Sequence, residues 1–318
     1  MKLRIQYAIV LGVIAVILPW LLSDFRVFQL NLMLVYAIAI LGLNLLTGYG
    51  GQISLGHGAF YAIGAYTAAV LMDKAAFSAY ATLPIAALVC LVAGVLMGFP
   101  ALRLSGHYLA LATFALAMAV PQLLKYKGIE DYTGGVQGIV LDKPQPLFEL
   151  EFLGRELSED RWMYYLVLIV SVLMFGLAYN LVNGRIGRAI VAIRDQPIAA
   201  GALGVNLTAV KTLTFGVSAA YTGVAGALGA IAVSYVAPDS FHTFLSISFL
   251  VGAVVGGLGT IPGALFGAAF IQFVPNVADE LSKSAPWAVY GAILLALVYV
   301  APGGVMGMIN KLKRGDSK

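Results

Sequence analysis

The chain has 318 residues, of which 61% are hydrophobic and only 11% charged, with a formal net charge of +4. Soluble globular domains carry about 25% charged residues, so this composition excludes one and indicates a protein that crosses a membrane many times. The surplus of cations is scattered between apolar runs rather than gathered on one face, which argues against nucleic acid as a partner. The lone cysteine, Cys90, excludes an internal disulfide framework.

The apolar runs predict an all-helical membrane protein with about ten crossings, centred near residues 15, 37, 63, 92, 115, 172, 223, 251, 268 and 297. The first run follows Lys2 and Arg4 and lacks a small-residue cleavage site, so it reads as a retained span rather than a signal peptide. With Lys2 and Arg4 in the cytoplasm, ten crossings return Lys311, Lys313, Arg314 and Lys318 to the same side. That arrangement places 11 of the 19 Lys and Arg inside, Arg103 among them, and 13 of the 15 acids outside, leaving only Asp195 and Asp316 within. The whole chain, 1–318, reads as one transmembrane domain, with an external segment at 126–161 and a cytoplasmic loop at 183–210.

No Asp, Glu, Lys or Arg falls near the middle of a predicted span. Intramembrane charges usually mark ion pathways, so their absence argues against a proton-driven pump. Glycine pairs at Gly94/Gly98, Gly252/Gly256 and Gly263/Gly267 have the spacing that lets helices approach closely.

The second span runs into "GYGGQISLGHGAFYAIGAY", Gly48–Tyr66, with six glycines in nineteen positions. Each glycine inside a helix costs up to about 1 kcal/mol relative to alanine. Gly48, Gly50 and Gly51 are expected to break a helix after Asn44 and Thr47, exposing backbone groups toward an internal cavity. Asn44, Gly50, Gly51, Gln52, Ser54, His57 and, from a later span, Thr113 are therefore candidates for lining a translocation path. A lone histidine is more often a satisfied packing residue than a ligand, and His57 carries both readings. His107 and His242 fall near predicted span ends and receive no chemical role.

The stretch Gly256–Phe266, "GGLGTIPGALF", can be laid on Gly50–Phe60, "GGQISLGHGAF", both matching GG-x-x-[ST]-[LI]-x-x-x-x-F. Each follows an inward-running helix in the ten-span arrangement, which would make the repeat parallel.

Between the sixth and seventh spans lies "NGRIGRAIVAIRDQPIAAGALGVN", Asn183–Asn206, carrying Arg185, Arg188 and Arg194. Asp195 is placed to cap a short helix, Pro197 suits its first turn and Gly204 its left-handed stop, predicting about two turns. Ile198, Ala199, Ala200 and Ala202 would form a small apolar surface fitted to a groove on another protein. The chain has no G-x-x-x-x-G-K-[ST] phosphate loop, no H-E-x-x-H site and no G-x-S-x-G elbow. Ser54 with His107 would make a hydrolase only if the two met.

Together, "GLNLLTGYGGQISLGHGAFYAIGAYTAA", "GHYLALATFALA", "TGGVQG", "GRAIVAIRDQPIAAGALGVN" and "VVGGLGTIPGALFGAAF" resemble the permease subunits of branched-chain amino acid ABC importers. The resemblance covers about residues 30–308 and is to the larger of the two paralogous permeases. It implies a bacterial inner-membrane location, a heterodimer with the second permease, two cytoplasmic ATPase subunits and a periplasmic solute-binding protein. It also implies leucine, isoleucine and valine as solutes. No cofactor is expected in this chain, ATP and magnesium being held by the ATPases. Docking and coupling to those ATPases would fall to Arg188, Arg194, Asp195, Ala199, Ala200 and Gly204. The family's Glu-Ala-Ala followed by glycine appears here as Ile198-Ala199-Ala200 and then Gly204, so the glutamate is missing. Related permeases carry urea or short amides. A passive channel is the more distant alternative.

Overall fold

The computed structural model describes residues 2–102, 104, 106–146, 151–152 and 155–315, with side chains described from Gly12 to Leu312 except at 101, 151–152 and 155–156. A helix stands at every one of the ten expected centres. These are α1 (Lys2–Leu21), α2 (Asp24–Asn44), α3 (His57–Ala75), α4 (Ala79–Ala101) and α5 (His107–Leu124), followed after a short α6 (Glu130–Thr133) by α7 (Glu159–Asn183). Two helices of the predicted loop come next, α8 (Arg185–Asp195) and α9 (Pro197–Ala202). The chain continues with α10 (Leu207–Val233), α11 (Thr243–Gly256), α12 (Gly263–Leu281), α13 (Pro286–Val300) and α14 (Gly304–Gly315).

Only six stretches among the described residues are both long and apolar enough to cross a membrane: Asp24–Tyr49, Ala79–Pro100, His107–Leu124, Glu159–Asn183, Leu207–Val233 and Pro286–Leu312. Ten crossings are thus not confirmed; α1 enters this count only as Gly12–Leu21, and three further helices fall short. The physical reason is local. Helix α11 is cut to 14 residues by the glycines at its end, while α3 and α12, each 19 residues, are diluted by glycine, alanine and polar groups. The positive-inside count draws on Lys2, Arg4, Lys313 and Arg314, whose side chains are not described. It also draws on Arg103, Asp316 and Lys318, which, like Asp316's neighbours at the end of the chain, lie outside the described residues.

Helices α2 and α10 form the centre of the bundle. The apolar windows of Asp24–Tyr49 and Leu207–Val233 are 78% and 83% buried, against 11% for Pro286–Leu312 at the periphery. Helix α10 packs along α4, α3 and α2, and α11 along α12. Glycine makes these approaches possible. A Cβ on Gly64 would fall on the backbone of Gly223, one on Gly256 on the backbone of Gly263, and one on Gly267 on the carbonyl of Gly252. The small-residue pairs at 252/256 and 263/267 therefore meet each other across α11 and α12. Replacing Gly64 with valine is expected to exceed the usual overpacking cost of about 1–3 kcal/mol, because backbone cannot rotate out of the way as a side chain can. Thermal unfolding of the detergent-solubilised protein should show a lowered midpoint or no cooperative transition.

Helix α7, 25 residues or about 37 Å long, separates the two polar segments. At its start lie the two-residue strands β1 (Ile139–Val140), β2 (Glu151–Phe152) and β3 (Arg155–Glu156). Strand β1 pairs antiparallel with β4 (Tyr235–Val236), just past the end of α10, and β2 with β3. Arg161, 5% exposed, ties this end to α1 and α2 through Asp24 at 2.9 Å and the Pro19 carbonyl at 3.3 Å. At the other end of α7 sit α8 and α9.

Candidate coupling and gating site

Helix α2 does not stop cleanly. Its last turn widens into a π-helical turn over Leu45–Tyr49, and the chain then runs irregularly from Gly50 to Gly56 before α3 begins at His57. The break expected after Asn44 and Thr47 is present. Gly51 takes φ +67°, the left-handed conformation that glycine adopts without a Cβ penalty. This lets Gln52 N–H reach back to the Leu46 carbonyl at 3.1 Å, while the Thr47 hydroxyl donates to the Gln52 carbonyl at 3.0 Å. Such closure answers the requirement that irregular backbone within a membrane bundle be satisfied by protein.

Ser54, His57 and Thr113 lie deep, at 0%, 1% and 1% exposure. Thr113 Oγ1 accepts from Leu55 N–H at 2.9 Å and fixes the irregular segment before α3 onto α5. The Ser218 hydroxyl, from α10, donates to the Gly42 carbonyl at 2.6 Å, so it accepts from His57 Nε2–H, also at 2.6 Å. That proton count leaves His57 Nδ1 as acceptor for the Ser54 hydroxyl at 3.1 Å, and Ser54 in turn accepts from Gly56 N–H at 3.3 Å. One neutral imidazole thus completes an unbroken chain from Gly56 to Gly42. Ser54 meets His57, not His107. Ser218 was not singled out in the sequence, because a serine in an alanine- and glycine-rich helix carries no local signal.

The second glycine stretch shares the first's outline, a helix end, a glycine of positive φ and a new helix at matching positions, although Gly259, at φ +73°, has no positive-φ counterpart at Ile53. Helix α11 ends at Gly256, Gly257 takes φ +114° where Gly51 takes +67°, and α12 begins at Gly263 where α3 begins at His57. Each following helix runs 19 residues. The opening hydrogen bonds match as well, Ala59 N–H to the Gly56 carbonyl at 3.0 Å and Leu265 N–H to the Pro262 carbonyl at 3.1 Å.

The two breaks touch. Asn44 Nδ2 donates to the Thr260 carbonyl at 2.7 Å, and its Oδ1 accepts from Gly259 N–H at 2.8 Å. Gly48 lies flat against Gly259, and a Cβ there would collide with the Gly259 amide.

The predicted loop folds as a helical hairpin at the same end. Helix α8 buries Gly187, Ile190 and Ile193 and turns its charged residues outward. Arg188 Nη1 donates to the Asn183 carbonyl at 3.3 Å, closing the end of α7. Arg194 donates to the Gly48 carbonyl through Nη1 at 3.0 Å and to Asp195 Oδ1 through Nε at 2.8 Å. Its stem lies over Gly51, where an added Cβ would sit 2.7 Å from Arg194 Cγ.

Three expectations about the hairpin need correction or refinement. Asp195 does not cap α9; Gln196 is the residue before it, with no side-chain cap, and the Asp195 carboxylate is held by Arg194 instead. Helix α9 has six residues, fewer than two full turns. Ala200 is 3% exposed and faces the bundle, so the outer surface consists of Ile198, Ala199, Ala202 and Leu203. Ile198 and Leu203 are 88% and 86% exposed. Gly204 behaves as expected, with φ +86°, and Val205 N–H reaches back to the Ala200 carbonyl at 3.1 Å.

Gly50, Gly51 and Gln52 line a cavity of about 250 Å³ together with Ile53, Arg194 and Lys211. Four of the seven path candidates, Asn44, Ser54, His57 and Thr113, are packed inside the bundle, and three face this cavity beside the hairpin.

Comparison with known proteins bears on this geometry. The model of the family described as the permease component of branched-chain amino acid transport systems matches residues 25–302, which takes in both breaks and the hairpin. The chain belongs to this permease family. The permease is 33% identical, over 98% of its own length and 78% of theirs, to the high-affinity branched-chain amino acid transport system permease proteins LivM of Salmonella typhimurium and Escherichia coli. It is 26% identical to BraD of Pseudomonas aeruginosa over 86% of its length. No solved structure matches it. The resemblance to the larger permease subunit, drawn from the motifs, is thereby shown. What the motifs did not disclose is that two of them, the glycine break and the arginine-bearing loop, are one contact in the permease, made by Arg194 on Gly48.

Proposed function

We propose that this permease is the membrane-spanning subunit of an ATP-driven importer of leucine, isoleucine and valine. It crosses the bacterial inner membrane ten times with both termini in the cytoplasm. It forms half of the pore with a paralogous permease and performs no covalent chemistry. Two cytoplasmic ATPase subunits hold ATP and magnesium, and a periplasmic binding protein delivers the solute. The α8–α9 hairpin is the element that docks in the ATPase, and the path for solute runs beside the first glycine break.

The carrying observation is the hairpin itself. A six-residue helix with a glycine stop presents Ile198 and Leu203 almost fully exposed, at the end of a bundle whose first break the hairpin touches through Arg194. Isolated helices this short are unstable in water, so an ordered one with an apolar outer face fits a surface made to be covered. The branched-chain amino acid transport names of LivM and BraD support the solute class.

Reconstitution in liposomes tests the reading. Radiolabelled leucine, isoleucine and valine are expected to enter only when the paralogous permease, the ATPases, the binding protein and ATP are all present. Uptake of urea in preference to leucine would replace the solute assignment, and uptake through the purified chain alone would replace the importer by a channel.

A further inference from the structure

We infer that Asn44 and Arg194 form a two-link strut through which the α8–α9 hairpin holds both glycine breaks as one body, so that moving the hairpin displaces the α2–α3 and α11–α12 breaks together. The inference rests on the proposed docking role of the hairpin and assigns Asn44 a mechanical task instead of contact with solute.

The first link is Arg194. Its guanidinium bonds the Gly48 carbonyl at 3.0 Å and its stem occupies the space that a side chain at position 51 would need. A carbonyl in the widened turn, where the regular helical ladder has been interrupted, is free to accept this bond. The second link begins one turn earlier. Asn44 spends both ends of its amide on two adjacent residues of the second break, the Gly259 N–H and the Thr260 carbonyl, while 1% exposed. Only a side chain with a donor and an acceptor at this reach can do so: aspartate lacks the donor, leucine lacks both. Each bond contributes about 1 kcal/mol, and breaking one at a buried site leaves an unsatisfied group that costs about 1–3 kcal/mol, so the pair resists separation. Gly48 and Gly259, in direct backbone contact beside Asn44, leave no slack between the breaks.

The matching geometry of the breaks gives the strut its purpose. Both have a glycine of positive φ at the aligned place and both launch a 19-residue helix. A push on two like hinges tied together tilts α3 and α12 in concert, whereas a push on the first alone would move only the half of the bundle that the hairpin touches.

The test uses the complete reconstituted importer, with Cys90→Ala removing the native cysteine and single reporters introduced as Ile53→Cys in the first break and Leu258→Cys in the second. Ile53 and Leu258 are 44% and 46% exposed, within reach of N-ethylmaleimide. Modification is timed without nucleotide and with nucleotide trapped by vanadate. In the parent both rates are expected to shift on trapping, by about fivefold or more, the range of an ordinary coupling between sites. With Asn44→Ala the shift at position 53 should persist and that at 258 should disappear. Asn44→Asp keeps the bond from Gly259 N–H and loses the one to Thr260, so it should show a reduced shift at 258; it also carries the comparison if the alanine variant does not assemble. A parent in which either reporter fails to respond, or a full shift at 258 in both Asn44 variants, overturns the strut. Failure of the parent to import solute on ATP addition would instead remove the importer reading beneath it.

Discussion

Replacing Gly51 with valine is expected to reduce solute uptake by the assembled importer to background. Two costs coincide at this position. At φ +67° a β-branched residue is forced into the left-handed region, at roughly 1–2 kcal/mol for the backbone alone. Its Cβ would also stand 2.7 Å from Arg194 Cγ, and the γ-carbons would have to enter the space of the arginine stem. Arg194 cannot yield without giving up its bond to Gly48, so the hairpin is pushed off the break. Gly106→Ala separates the two effects. Gly106 also has a positive φ, +54°, with ψ −119°, and lines the same cavity, but an added Cβ meets nothing within 4 Å. It should pay backbone strain alone and keep most of the uptake, whereas Gly51→Ala, with the same single carbon added, should lose most of it. Equal uptake by the two alanine variants would show that Gly51 is needed for its conformation and not for its contact with Arg194.

Leu203→Asp combined with Ile198→Asp is expected to release the ATPase subunits while the permease still inserts and purifies. Neither residue supports the fold, being 86% and 88% exposed. If a partner covers them, each contributes about 1.5–3 kcal/mol through burial, and a carboxylate in the same place adds an unpaired charge. Loss of both should therefore weaken association by two or more orders of magnitude, readable as failure of the ATPases to co-purify. Retained co-purification with full uptake would remove α9 as the docking element. A stable complex that hydrolyses ATP without import would place the defect in transmission instead.

Much of this was legible in the sequence because the signals are local. The helix break depends on glycines that follow one another closely, and a run such as Gly48, Gly50 and Gly51 cannot continue a regular helix at low cost. Gly204 needed a left-handed φ to end α9, and its type announced that. The Gly50–Phe60 and Gly256–Phe266 match was visible as letters and extends to a positive φ at the aligned glycine and to the helix starts.

Other features failed at the same level for reasons that can be named. Asp195 looked like a cap because nothing in the sequence shows that Arg194, its neighbour, needs a carboxylate to hold its guanidinium against a distant carbonyl. Ala200 looked like surface because alanine suits either face of a short helix. The pairing of Ser54 with His107 gave way to one with His57, whose other ring nitrogen bonds Ser218, 161 residues away.

By itself the sequence determined that this is an apolar, many-helix membrane protein, where its helices break and stop, and to which transport family it belongs. Those properties follow from hydropathy, glycine and spacing within a few turns of chain. Only the tertiary structure decided that the two breaks lie against each other, that Arg194 joins the hairpin to the first and that Asn44 joins the first to the second. Hydrogen-bond partners 146 and 216 residues apart in the chain are chosen by how helices pack, and packing is a property of the whole bundle.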